Sequence, residues 1–175
     1  MLPKNLTVVT QETLQAASAL AGQRGHLSLE PEHVLGALLG QTEGLLAMLL
    51  ATLEVDREAL ARDLTALLER FGRSGGDEAP RLSTDTERLL TRAGKETRGL
   101  KDEYISTEHL LLALVDEKGQ IGDLLRRRGL TRDRLLPALQ QLRGNRRVTD
   151  DNPEATLGAL DRFTQDLTAK AREGR

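Results

Sequence analysis

Two Glu-His pairs, Glu32-His33 and Glu108-His109, are the residues whose types could do chemistry in this chain. A carboxylate beside an imidazole can move a proton or help to hold a metal ion. The remaining histidine is His26, and there is no cysteine, which removes disulfides and thiolate ligands. A helical metal site needs ligands at i and i+4 or in tight pairs. Neighbouring residues point about 100° apart on a helix, so neither pair converges on one ion and no metal site is expected. No nucleophile has a matching base. Gly94-Lys95 is followed by Glu96 and lacks the upstream glycine of a phosphate loop, and no Gly-x-Gly-x-x-Gly occurs. The chain therefore reads as non-enzymatic, with no catalytic residue and no cofactor of its own. The Glu-His pairs suit helix starts instead, where an acid in the first turn complements the dipole and the imidazole packs against a neighbouring helix.

The elements that position the pairs recur with them. Glu32-His33 falls on Glu108-His109 at a spacing of 76 positions, as do Leu29 on Ile105, Leu35 on Leu111 and Leu38 on Leu114. Upstream, Thr7 falls on Ser83, Leu14 on Leu90 and Ala17 on Ala93; downstream the spacing drops to 75, with Asp56 on Thr131, Leu60 on Leu135 and Leu64 on Leu139. Two copies of one helical unit of roughly 65 residues are thus expected. Each is too small to bury a robust core, so the pair should pack as one domain.

Apolar spacing and caps place four helices in each copy. The first four are expected over Val8–Arg24 behind the cap Thr7, Pro31–Leu39, Leu45–Thr52, and Arg57–Phe71 behind Asp56. The second four start behind Ser83, behind Ser106, at Asp123 after Gly119 and Gly122, and behind Thr131. Pro137 in the last predicts a kink or a start displaced towards Leu136. Aromatic residues are 2% of the chain and the apolar ones are mostly Leu and Ala, which favours helices over strands. The reading is an all-α fold: two tandem four-helix repeats, about 5–71 and 82–144, packed as one pseudo-twofold globular domain over 1–144. A polar break follows, and a partly helical C-terminal linker occupies 145–175.

Charge is uneven. Residues 118–147 carry nine Lys/Arg against two Asp, a net +7, whereas residues 1–70 carry −4. Such a segment could touch phosphate, but no aromatic interleaves it to stack on bases, and Arg126, Arg127, Arg128 and Arg132 flank a helix end, where cations suit the dipole. The longest apolar run, Leu45–Ala51, is far short of the ~20 residues that span a bilayer, and Met1-Leu-Pro-Lys-Asn has no signal pattern. Neither nucleic acid nor membrane is an expected partner, and the expected location is cytoplasmic.

The doubled Glu-His-x-Leu-x-Ala-Leu with Thr7, Leu14 and Ala17 resembles the Clp N-terminal domain, over residues 4–144. The tail Arg143-Gly144, Val148-Thr149-Asp150, Pro153-Glu154 and Asp166-Leu167-Thr168 is similar to the connection that leads, in the ATP-driven disaggregases of that family, to a first ATPase module. The resemblance implies the substrate-binding N-terminal module of such a disaggregase, with ATP and Mg bound by modules outside this chain. Its partner would be unfolded or aggregated polypeptide; alone it would be a monomer, and the full-length protein a homohexamer. A substrate- or adaptor-binding N-domain of a protease-coupled Clp unfoldase is the alternative; there the resemblance implies that Glu32 and Glu108 sit in two pockets for phosphorylated arginine of substrates, with adaptors docking nearby. The resemblance places substrate binding at Thr7, Asp102 and Glu108, with Leu90 on the helix that lines the groove. Read from the residues alone, Thr7 is a helix cap, Asp102 starts a turn before Tyr104, Glu108 is a first-turn acid and Leu90 is core. Lys101 stands where the family often has glycine.

Overall fold

The computed structural model describes residues 2–74, 76–144 and 146–153. The first repeat is α1 (Val8–Gln23), α2 (Pro31–Gly40), α3 (Leu45–Thr52) and α4 (Arg57–Leu68); the second is α5 (Thr84–Gly99), α6 (Thr107–Val115), α7 (Gln120–Arg127) and α8 (Arg132–Arg143). The starts follow from caps. Thr7 Oγ1 accepts from the N–H of Thr10 (3.2 Å), Asp56 Oδ1 from that of Ala59 (3.1 Å) and Ser83 Oγ from that of Thr86 (3.1 Å), each satisfying a donor that the helix cannot. The helical span expected from Glu154 to Arg172 lies outside the described residues.

Three boundaries differ from the sequence reading. Helix α4 stops at Leu68, because Phe71 turns inward against the rings of His26 and His33, with centroids 5.4 and 5.8 Å away. Helix α7 begins at Gln120 and contains Gly122. A Cβ at Gly122 would collide with the carbonyl oxygen of Glu117, so this glycine permits the helix to start close against the preceding turn rather than ending a loop. Helix α8 begins at Arg132, and Pro137 lies inside it. Both Pro137 and Asp133, whose carbonyl loses its helical donor to the proline, are exposed, so water can replace the missing bond.

Two short strand pairings, unexpected for this composition, join the repeats. β1 (Ser28–Leu29) runs parallel to β2 (Arg81–Leu82), and Leu6 bridges Ile105 in the same sense. Leu6 and Leu82 precede the first helices of the two repeats; Leu29 and Ile105 precede the second helices. Each repeat thus ties the entry of its first helix to the entry of the other repeat's second helix. This exchange gives the domain its pseudo-twofold arrangement.

Packing obeys the same symmetry. α1 lies on α2 and α5 on α6, α2 meets α6 at the centre, and α4 and α3 cross to α7 and α8 of the other repeat. All nine residues of α6 are buried, including Glu108 and His109. A polar pair buried at the start of the central helix has to find partners, and those partners form the candidate site.

Candidate functional site

The two Glu-His pairs do more than suit the helix dipole and pack. His33 Nδ1 accepts the N–H of Glu30 (2.8 Å), and His109 Nδ1 accepts that of Ser106 (2.8 Å). Each imidazole therefore turns back to satisfy the backbone at the start of its own helix. With Nδ1 accepting, the proton of the neutral ring sits on Nε2. The Nε2 of His33 lies 2.8 Å from Nδ1 of His26; the Nε2 of His109 lies 2.8 Å from Oδ2 of Asp102. His26 and Asp102 are themselves 76 positions apart. One scaffold thus carries a neutral imidazole pair in the first repeat and an ionic group in the second.

The ionic group centres on Asp102. Its carboxylate is fully enclosed, and Arg143, from the end of α8, donates to it through both guanidinium nitrogens, at 3.0 Å to Oδ2 and 2.6 Å to Oδ1. The N–H of Val148 donates to Oδ1 at 2.8 Å. Burial pushes the pKa of Asp102 up, but the bonds from His109, Arg143 and Val148 outweigh it and hold the carboxyl down at about 2. Glu108 closes the cluster: its Oε1 accepts from Ser106 Oγ (3.0 Å) and lies 3.4 Å from Arg143.

Two chemical readings of this cluster fail on its geometry. Ser106, His109 and Asp102 form a chain of contacts with the composition of a nucleophile triad, Ser106 Oγ standing 3.0 Å from His109 Nδ1. The ring nitrogen facing that hydroxyl already accepts the Ser106 N–H, the hydroxyl donates to Glu108, and Ser106 is 2% exposed. No base is available to the hydroxyl and no substrate reaches it. Donor atoms of Asp102, Glu108 and His109 also lie within 4.8 Å of one another. Arg143 stands among them and supplies the positive charge that a metal ion would bring.

Of the four expected site residues, two come together and two stand apart. Asp102 and Glu108 meet through Arg143. Thr7 caps α1, is buried, and donates its N–H to the carbonyl of Ile105 (3.0 Å), one turn of chain before Glu108. Leu90 is 2% exposed and sits in the core. Lys101 adopts φ 59°, so the loop before Asp102 takes the left-handed conformation without a glycine. Sequence reasoning missed Arg143 and Val148 as partners of Asp102. The repeat frame held a signal for the first: at the downstream spacing of 75, Arg143 falls on Leu68, a charge against a buried leucine.

Several arginines of the basic segment are paired with carboxylates or carbonyls of the same fold. Arg132 pairs with both carboxylate oxygens of Glu96 (2.7 and 2.8 Å) and with Asp116 (2.8 Å); Arg128 pairs with Asp63 (2.6 Å) and Arg126 with Asp123 (2.7 Å). Arg134 donates to the carbonyls of Gly129 and Leu53 (2.7 and 2.8 Å). These arginines clamp helix ends rather than present a stripe of cations. Among the described residues, no helix is long and apolar enough to cross a membrane.

Among the described residues, eight helices in two interlocked sets, with a buried ionic cluster at the start of the central helix, define a double-repeat helical module. The profile of the Clp repeat (R) N-terminal domain matches residues 5–128, and the chain belongs to that family. It is similar to the chaperone protein ClpB of Bacillus cereus (strain ATCC 14579), 40% identical over 174 residues that make up 97% of this chain and 20% of the relative. ClpB of Mycobacterium tuberculosis (strain H37Rv) is 37% identical over 172 residues, 98% of this chain and 20% of the relative. The chain thus spans about a fifth of the length of these relatives. Among solved structures it resembles the Hsp104 N-terminal domain from Candida albicans, with TM-score 0.75, 25% identity, and coverage of 86% of this chain and 99% of that one. It also resembles the N-domain of ClpV in complex with a VipB peptide, with TM-score 0.63, 17% identity, and coverage of 78% of this chain and 85% of that one. That last likeness concerns the fold alone.

Proposed function

We propose that this chain is the substrate-binding N-terminal module of an ATP-dependent disaggregase of the ClpB type. It engages exposed segments of misfolded or aggregated protein and passes them to a motor in the cytoplasm. The observation that carries the reading is the 40% identity to ClpB over 97% of the chain, which runs beyond the repeats into the tail. ATP and Mg then belong to ATPase modules of the full-length protein, and the homohexamer to its ring. In this reading substrate binding centres on Thr7, Leu90, Asp102 and Glu108. All four are 9% exposed or less, so they act by shaping the surface above them: Thr7, Asp102 and Glu108 around the N-terminal ends of α1 and α6, where Val8 is exposed, and Leu90 from within α5.

Titration with a permanently unfolded model protein tests this. Weak binding is expected, because association and ordering of a flexible peptide offset most of the apolar gain. Thr7→Ala, Asp102→Ala and Glu108→Gln should weaken it, with thermal melts run beside each variant, since loss of a cap or of a buried ion alters folding as well. Normal binding by all three variants while folded removes the site. Tighter binding of nucleic acid than of unfolded protein removes the function.

A further inference from the structure

The polar break expected after residue 144 is not an idle spacer. Val148 is 5% exposed, although the residues around it from Arg146 to Asn152 are exposed. Its carbonyl accepts from the N–H groups of Glu103 (2.8 Å) and Tyr104 (3.3 Å), and its own N–H donates to Asp102. Before it, the carbonyl of Arg146 accepts from Arg143 (2.8 Å); after it, the carbonyl of Asp151 accepts from the N–H of Val8 (2.6 Å). Every one of these bonds uses the main chain of the segment, and one small aliphatic side chain fills the space beneath it. This is how a protein recognises an unfolded peptide: backbone groups supply the binding, and a side-chain seat supplies the selectivity.

We propose that residues 146–151 are a strap that occupies, in cis, a seat for unfolded polypeptide. The proposal rests on the function given above and names the kind of segment bound. The occupant is a non-helical stretch with a small aliphatic residue at the seat. That residue cannot be proline, because the Asp102 carboxylate requires an N–H there. Flanking residues are free to vary, since those of the strap point into solvent. When the strap is drawn away, Glu103, Tyr104, Val8, Arg143 and Asp102 present the same backbone-reading groups to a substrate. A tethered strap competes at an effective concentration on the order of millimolar, so the seat stays closed to weak ligands until it moves.

The test measures fluorescence anisotropy of a labelled peptide, Asn-Arg-Arg-Val-Thr-Asp-Asp, the sequence of residues 145–151, added to the 175-residue chain. Val148→Asp frees the strap without altering the seat, and Val148→Gly does so without adding charge. Both variants should bind the peptide at least about tenfold tighter than the parent chain. Peptides with Asp or Pro in place of the valine should fail on every chain. An unfolded model protein should gain a similar factor. The proposal is overturned if both variants, shown folded by their melts, bind peptide and unfolded protein no better than the parent, or if the proline peptide binds as well as the valine one. If unfolded protein binds all chains equally, the strap is wrong and the proposed function stands. If it binds none while the peptide binds the variants, the seat stands and the proposed function fails.

Discussion

His109 Nε2 stands 2.8 Å from Asp102 Oδ2, and in the other repeat His33 Nε2 stands 2.8 Å from His26 Nδ1. The backbone framework of the two sites is the same, yet their electrostatics are opposed. In the second repeat the histidine faces a carboxylate braced by Arg143. In the first it faces another imidazole, with Phe71 beside both rings, an environment that favours neutral forms.

A pH dependence follows from the first-repeat pair. Burial, then His26 and Arg24, push the pKa of His33 down from 6.5 to about 4, and burial also lowers His26. A histidine depressed on folding contributes stability that is present above about pH 6.5 and is lost as the pH falls through about 4. The contribution is on the order of 3 kcal/mol. Glu32 and Glu117, whose carboxyls burial raises, act in the opposite sense, so the comparison should be made against a variant. Urea unfolding between pH 7.5 and 4 should show a steeper loss for the parent chain than for His33→Gln; parallel curves would contradict the assignment. The Asp102 contribution enters only lower, being present above about 3.8 and lost as the pH falls towards 2.

Removing Arg143 should be costly. Asp102 would keep its enclosed carboxylate without its strongest cation, and breaking a buried pair from one side costs about 3–5 kcal/mol. Arg143→Ala should therefore lower the urea midpoint sharply. The double variant Arg143→Leu with Asp102→Asn, which removes both charges, should recover part of the loss. A single variant as stable as the parent would show that the pair contributes nothing.

Left-handed backbone occurs at equivalent places in the two repeats. Gly25 has φ 70° where Lys101 has φ 59°, and Gly129 has φ 88° where Glu54 has φ 55°. The lysine and the glutamate carry a steric penalty that glycine does not. Lys101→Gly and Glu54→Gly should each stabilise the fold by about 0.5–1 kcal/mol after the entropy of the unfolded glycine is allowed for. Denaturant titration checks this, and a loss of stability in either would point to a compensating contact of the side chain.

Gly122 makes a contrary prediction. Inside a helix alanine is normally better than glycine by about 1 kcal/mol. Here the added methyl would meet the carbonyl oxygen of Glu117 and crowd the guanidinium of Arg126. Gly122→Ala should lower stability by about 1–3 kcal/mol, the range for overpacking, whereas Ala at Gly99, where nothing lies within 4 Å and no positive φ is required, should be neutral or better. Thermal melts of the two variants side by side decide it.

Much of the architecture follows from local chemistry that the chain carries in plain order. Thr7, Asp56 and Ser83 stand where three helices start, Leu stripes give the buried faces, and the 76-residue echo gives two repeats in one domain. The caps and stripes depend on residues within a turn or two of each other, and the echo is a repeat of that same local pattern along the chain, so the sequence by itself determined them. The entries tied at Leu6–Ile105 and Leu29–Leu82 did not show, because a pairing of two residues has no alternation to read. Gly122 read as a breaker because the carbonyl it makes room for belongs to the preceding turn. Asp102 read as a turn residue because its partners arrive from Arg143 and Val148, 41 and 46 positions on. Only the tertiary structure decided those contacts: a buried charge takes whichever cation or N–H the packing of distant helices delivers, and local sequence does not specify that delivery.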